Sequence, residues 1–141
     1  MGATATIHRT VAFADTDMAG IVHFSNFLRY CEAAESALFA ELGIPIIEEV
    51  KPGLYRGWPR VEVSCRYRAP LRFPEPFRVE IEVESVEIKR VRLIGRIYRE
   101  PEGTRPVARC ETVLAYASLA PMGKDLQALP IPEAWQKALL G

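Results

Sequence analysis

Asp15-Thr16-Asp17-Met18-Ala19-Gly20-Ile21-Val22-His23-Phe24-Ser25-Asn26-Phe27 runs from a strand-like segment through an acidic, glycine-supported turn into a helix. From Phe24 to Leu42, residues Phe27, Cys31, Ala34 and Leu38 recur at helical spacing, and Phe24, Leu28, Phe39 and Leu42 widen the apolar face. Gly43 stands where a helix-ending glycine belongs, and Pro45 prevents continuation. A helix this long and this apolar has to be wrapped by other elements. Upstream, Thr6 to Ala14 alternates loosely and carries Ile7, Val11 and Phe13, which predicts a strand.

Downstream, Ile46 to Trp58 reads as an irregular connector with Pro52, Gly53 and Gly57, after which the period changes to two. Val61, Val63, Cys65 and Tyr67 alternate with charged or polar residues, as do Phe77, Val79, Ile81 and Val83. After a phase slip around Ser85, Val91, Leu93, Gly95 and Ile97 resume the pattern. Pro101-Glu102-Gly103-Thr104 predicts a turn, Pro106 to Leu119 a last long strand, and Pro130 to Trp135 the start of a short helix. One helix and several half-polar strands define an α+β layer in which a curved antiparallel sheet wraps the helix, as a single domain over residues 1–141. Such a monomer leaves strand edges open, so self-association is expected.

Eighteen basic and 18 acidic residues balance, which argues against nucleic acid or an anionic membrane as the main partner. No apolar run approaches the ~20 residues of a membrane span. Cys31, Cys65 and Cys110 are far apart and odd in number. They predict small reduced side chains rather than a disulfide framework or zinc site, and a cytoplasmic setting.

Asp17 is the candidate catalytic carboxylate, able to attack an acyl carbon or to activate water. If a helix begins near Phe24, the free Phe24 backbone N–H can stabilise a developing oxyanion close to Asp17. Ser25 or Asn26 is the expected helix cap, and Asn26 has the further option of holding the Asp17 carboxylate or orienting water. His23 could donate a proton to a leaving group, though a thiolate leaves without that help. His8 has a structural place in the first strand. Lys89, Arg90 and Arg92 could hold phosphates, and Arg66, Arg68 and Arg72 form a second basic group open to the same use or to simple solvation. Phe24, Phe27, Tyr30 and Trp58 are the aromatic residues available for a pocket, Trp58 being open to a core role instead.

The block from Phe13 to Val22, with Asn26-Phe27-Leu28-Arg29-Tyr30 after it, resembles the signature of the hot-dog-fold acyl-CoA thioesterases. Within them it is similar to the 4-hydroxybenzoyl-CoA thioesterase and YbgC-like branch, and the likeness extends over the whole chain. The resemblance implies a hot-dog fold, dimers or tetramers with the site at a subunit interface, and hydrolysis of acyl-CoA without metal or organic cofactor. It assigns catalysis to Asp17 and the oxyanion contact to the Phe24 N–H, and implies substrate contacts at Gly20, Ser25 and Asn26. Lys89 and Arg90 would contact CoA from either subunit. Many members carry Tyr-His where this chain has His23-Phe24, so the ring is turned about 100° around the helix axis. A hydratase using His23 with Asp17, or a non-catalytic acyl-CoA-binding module, are the other functions open to this fold.

Overall fold

The computed structural model describes residues 2–101, 103–119 and 126–141. The central helix, α1 (Phe24–Glu41), buries Phe27, Cys31, Ala34, Leu38 and Phe39, the stripe its spacing predicts. Gly43 takes the left-handed φ of 70° that ends the helix without steric cost. Strands β1 (Thr4–Thr10), β4 (Arg60–Tyr67), β5 (Pro76–Val86), β6 (Arg90–Arg99) and β7 (Ala108–Ala115) form one antiparallel sheet in the order β1-β5-β6-β7-β4. Its inner face supplies Phe77, Val79, Ile81, Val83, Leu93 and Ile97, all essentially buried beneath α1. The predicted slip near Ser85 is a register shift between Val83 and Ser85.

The stretch expected to be an irregular connector is instead a hairpin, β2 (Ile47–Lys51) and β3 (Leu54–Gly57), reversing at Gly53 with φ 79°. It pairs with β8 (Ala117–Leu119), which also pairs with β9 (Gln127–Ala128), making a second, four-stranded sheet. The last long strand is therefore two strands serving different sheets, divided at Tyr116. The first strand ends at Thr10, four residues earlier than its composition predicts, and Phe13–Asp15 is a 3-10 turn. Of the predicted turn at residues 101–104, Glu102 lies outside the described residues. Helix α2 (Glu133–Leu140) closes the N-terminal end of β1 and the C-terminal end of β5, with Leu139 buried and its carbonyl accepting the Ala3 N–H.

Cys65 and Cys110 correct the expectation of three reduced cysteines. They stand directly opposite one another on β4 and β7, with Cα atoms 4.0 Å apart, and are disulfide-bonded. Forty-five residues separate them along the chain, and only strand register brings them together. Cys31 remains free and buried; burial pushes its thiol up to about 12, which suits packing rather than reactivity.

Candidate active site

The acidic segment is held as a tight loop. Thr16 bridges Val22, the Asp17 N–H donates to the Ile21 carbonyl, and the Gly20 N–H donates to the Asp17 carbonyl. Gly20 has a φ of 80°, open only to residues that tolerate the left-handed region. One Asp17 carboxylate oxygen accepts the Ala19 N–H at 2.8 Å, while the residue as a whole stays exposed. The carboxylate is thereby oriented without being covered.

Asp15 anchors this loop to the helix. Its carbonyl accepts the His23 N–H and the Asn26 side-chain amide, both at 2.9 Å, and its carboxylate accepts the Tyr30 hydroxyl at 2.8 Å. Partial burial and the Asp15 charge hold the Tyr30 hydroxyl well above its usual pKa, so it remains a donor. Asn26 thus fixes the Asp15 backbone rather than the Asp17 carboxylate. Tyr30 packs on Phe77 and holds the loop instead of lining a pocket.

The expected cap at Ser25 or Asn26 is corrected to His23. Its ring Nδ1 accepts the Ser25 N–H at 3.3 Å and lies 2.8 Å from the Ser25 hydroxyl, while its carbonyl accepts the Asn26 N–H. A ring nitrogen here does the work that a hydroxyl or carboxamide usually does. The Ser25 and Asn26 N–H groups are therefore spent, whereas the Phe24 N–H has no acceptor among the described residues.

Asp17 and Phe24 line one apolar cleft of about 450 Å³, with Val22, Phe27, Tyr67 and Pro70. Tyr67 is the residue sequence reasoning passed over. As the last residue of β4 it packs edge-on against Phe27 and Phe24, and its hydroxyl donates to the Phe24 carbonyl at 3.1 Å. Its place at the polar end of an alternating strand was the available signal. Gly20, His23 and Asn26 face a second depression that Asp17 shares. Trp58 is core: its indole donates to the Pro45 carbonyl and its ring packs with Phe39, Tyr116 and Trp135. Lys89 and Arg90 are not brought to Asp17. Arg90 pairs with Ala115, at the end of the sheet opposite the Tyr67–Ala108 and Ala108–Ile97 pairs beside the cleft. Among the described residues, no group of three or more His, Cys, Asp or Glu side chains could hold a metal.

A curved antiparallel sheet wrapped around one long helix is the hot-dog fold, and the acidic loop and helix start meet at its apolar cleft. The chain belongs to the thioesterase-like superfamily, whose family model matches residues 11–139. It is 34% identical over 134 residues to a 1,4-dihydroxy-2-naphthoyl-CoA hydrolase of Thermosynechococcus vestitus, covering 92% of this chain and 86% of that protein. Another protein of that name, from Synechococcus elongatus, is 31% identical, with 91% and 89% covered. The structure of Slr0204, a 1,4-dihydroxy-2-naphthoyl-CoA thioesterase from Synechocystis, superposes with a TM-score of 0.81 at 25% identity, covering 96% and 95% of the two chains. A 4-hydroxybenzoyl-CoA thioesterase complexed with 4-hydroxybenzoyl-CoA shares the fold, with a TM-score of 0.82 at 20% identity and 98% and 99% of the chains covered.

Proposed function

We propose that this protein hydrolyses an aromatic acyl-CoA to the free acid and CoA. The observation that carries the reading is the common cleft of Asp17 and the unspent Phe24 N–H. A thioester carbonyl seated there would direct its oxygen at the Phe24 N–H, which stabilises the negative charge of the tetrahedral intermediate. Asp17 then either attacks the carbonyl carbon, giving a mixed anhydride that water cleaves, or takes a proton from the attacking water. In both routes CoA leaves as the thiolate. His23 keeps the helix start in place, a use of the ring that leaves the leaving group without need of it. Phe24, Phe27 and Tyr67 give the cleft three aromatic walls, and the relatives' naphthoyl substrates favour an aryl group over an alkyl chain. Thiol release from aryl-, short-alkyl- and long-alkyl-CoA tests this; preference for a long alkyl chain would count against it.

A homodimer, or a homotetramer built from two such dimers, completes the account. The β4 edge is open, Val61 and Val63 on it are 49% and 44% exposed, and Met18 and Phe24 beside the site are also bare. Antiparallel pairing of two β4 edges would cover these residues and set the site at the subunit junction. Among the described residues, no helix is long and apolar enough to cross a membrane. A CoA thioester as substrate favours a cytoplasmic setting. Thiol titration of unfolded protein, isolated under exclusion of air, should count one thiol, that of Cys31; a count of three would contradict the Cys65–Cys110 bond.

A further inference from the structure

The candidate oxyanion donor stands where a helix is held least. The first N–H groups of any helix lack an acceptor inside it, so a first turn frays unless something outside holds it. Phe24 opens α1 and is 62% exposed, so packing does little to fix it. The peptide that carries its N–H is held on one side, where the His23 carbonyl accepts the Asn26 N–H at 2.9 Å. On the other side the Phe24 carbonyl accepts the Tyr67 hydroxyl at 3.1 Å. Among the described residues, Tyr67 is the one side chain that bonds the Phe24 main chain.

The frame behind Tyr67 is firm. It ends β4 opposite Ala108 on β7, and the next two N–H groups, of Arg68 and Ala69, both donate to the Val107 carbonyl, at 2.8 and 3.1 Å. Val107 is buried, so this anchor belongs to the core. Leu71, also buried, accepts the Val22 N–H at 2.8 Å. Residues 67–71 therefore touch the helix entrance on both sides of His23, through Leu71 at Val22 and through Tyr67 at Phe24. The Tyr67 ring is steered edge-on by the buried Phe27 at 5.4 Å and by Phe24 at 6.5 Å. A phenylalanine ring would give the cleft the same wall. The hydroxyl is what reaches the helix, and a phenol at neutral pH has its proton to donate.

We infer that Tyr67 is a positioning residue for the hydrolysis: its hydroxyl, by holding the Phe24 carbonyl, ties the first turn of α1 to the sheet and keeps the Phe24 N–H in place at the cleft. This assignment rests on the acyl-CoA reading of that cleft. A donor to a developing oxyanion works by being oriented before the charge appears, so lost order at Phe24 slows the chemical step and leaves substrate binding alone. The hydroxyl acts through Phe24 and not on the reacting atoms. Ring and hydroxyl thus have separate duties, the first bounding the acyl group and the second setting the oxyanion donor.

Two variants separate these duties. Tyr67→Phe removes the hydroxyl and keeps the wall, whereas Tyr67→Leu removes both. In Tyr67→Phe, kcat should fall at least about threefold, the scale of one neutral hydrogen bond, for every acyl-CoA the native protein hydrolyses, with KM unchanged. Tyr67→Leu should show the same loss in kcat together with a raised KM for an aryl-CoA. Amide hydrogen exchange gives a second readout that needs no turnover. In Tyr67→Phe the Ser25 and Asn26 N–H groups, which bond His23, should exchange at least about threefold faster. Those of Leu42 and Ile44, at the other end of α1, should keep their native rates. A smaller fall in kcat, a change confined to KM, a loss that differs between acyl groups, or native exchange at Ser25 and Asn26 would each overturn the assignment. Faster exchange in the variant of a native protein that hydrolyses no thioester would instead sink the hydrolase reading and leave the tie between strand and helix standing.

Discussion

Glu35 sits halfway along α1 with 4% of its surface exposed, the one carboxylate buried in the core among the described residues. Arg60 from β4 grips both carboxylate oxygens, at 3.2 and 3.1 Å, and ties the helix to the sheet's edge strand. Burial nevertheless holds the Glu35 carboxyl above its ordinary pKa, with Arg60 and Thr112 drawing it back. Arg60→Met therefore strands a buried carboxyl and should cost roughly 3 kcal/mol at neutral pH in denaturant unfolding. A carboxyl whose folded pKa exceeds the unfolded one stabilises fully below the unfolded value and loses that contribution as pH rises through the folded value. The deficit of Arg60→Met should accordingly shrink in acid; a deficit independent of pH would argue against this origin. At this scale the placement of Asp17 beside the helix start at Phe24 was legible because it depends on one turn and one helix boundary. The His23 cap and the Tyr67 wall were not, since the first depends on ring orientation and the second on where β4 ends against α1.

Elements were legible wherever one face is buried, because burial imposes a period on the sequence. β5 and β6 alternate cleanly under α1, and even their slip at Ser85 shows in the pattern. The β2–β3 hairpin was hidden because β2 is exposed on both faces and β3 for the most part partly so, which leaves no alternation to read. Close approach of elements is equally silent in sequence. Gly95 on β6 lies against α1 so tightly that an added Cβ would stand 2.7 Å from the Cys31 sulfur. Gly95→Ala should destabilise by about 1–3 kcal/mol through this overpacking. Combining it with Cys31→Ala should recover part of that loss in a double-mutant cycle. Simple addition of the two single costs would show that helix and strand do not compete for the space.

For the whole molecule, the α+β wrap follows from one apolar helix and a run of half-polar strands, whereas assembly lies outside what one chain's periodicity encodes. The bare β4 edge beside the cleft is where the proposed second copy would pair. Val63→Lys should shift the protein to monomer in sedimentation velocity and lower kcat/KM together, while a monomer with native activity would separate the site from the interface. The proposed reaction draws on the cleft, the loop that orients Asp17 and the free N–H at Phe24, and its most direct measurement is aryl-CoA hydrolysis by native protein and by Asp17→Asn, which keeps the side chain's shape. The account predicts turnover by the native enzyme and a kcat at least about 100-fold lower in the variant with KM little changed. A variant with native kcat, or a well-folded native protein that hydrolyses none of the thioesters, would contradict it.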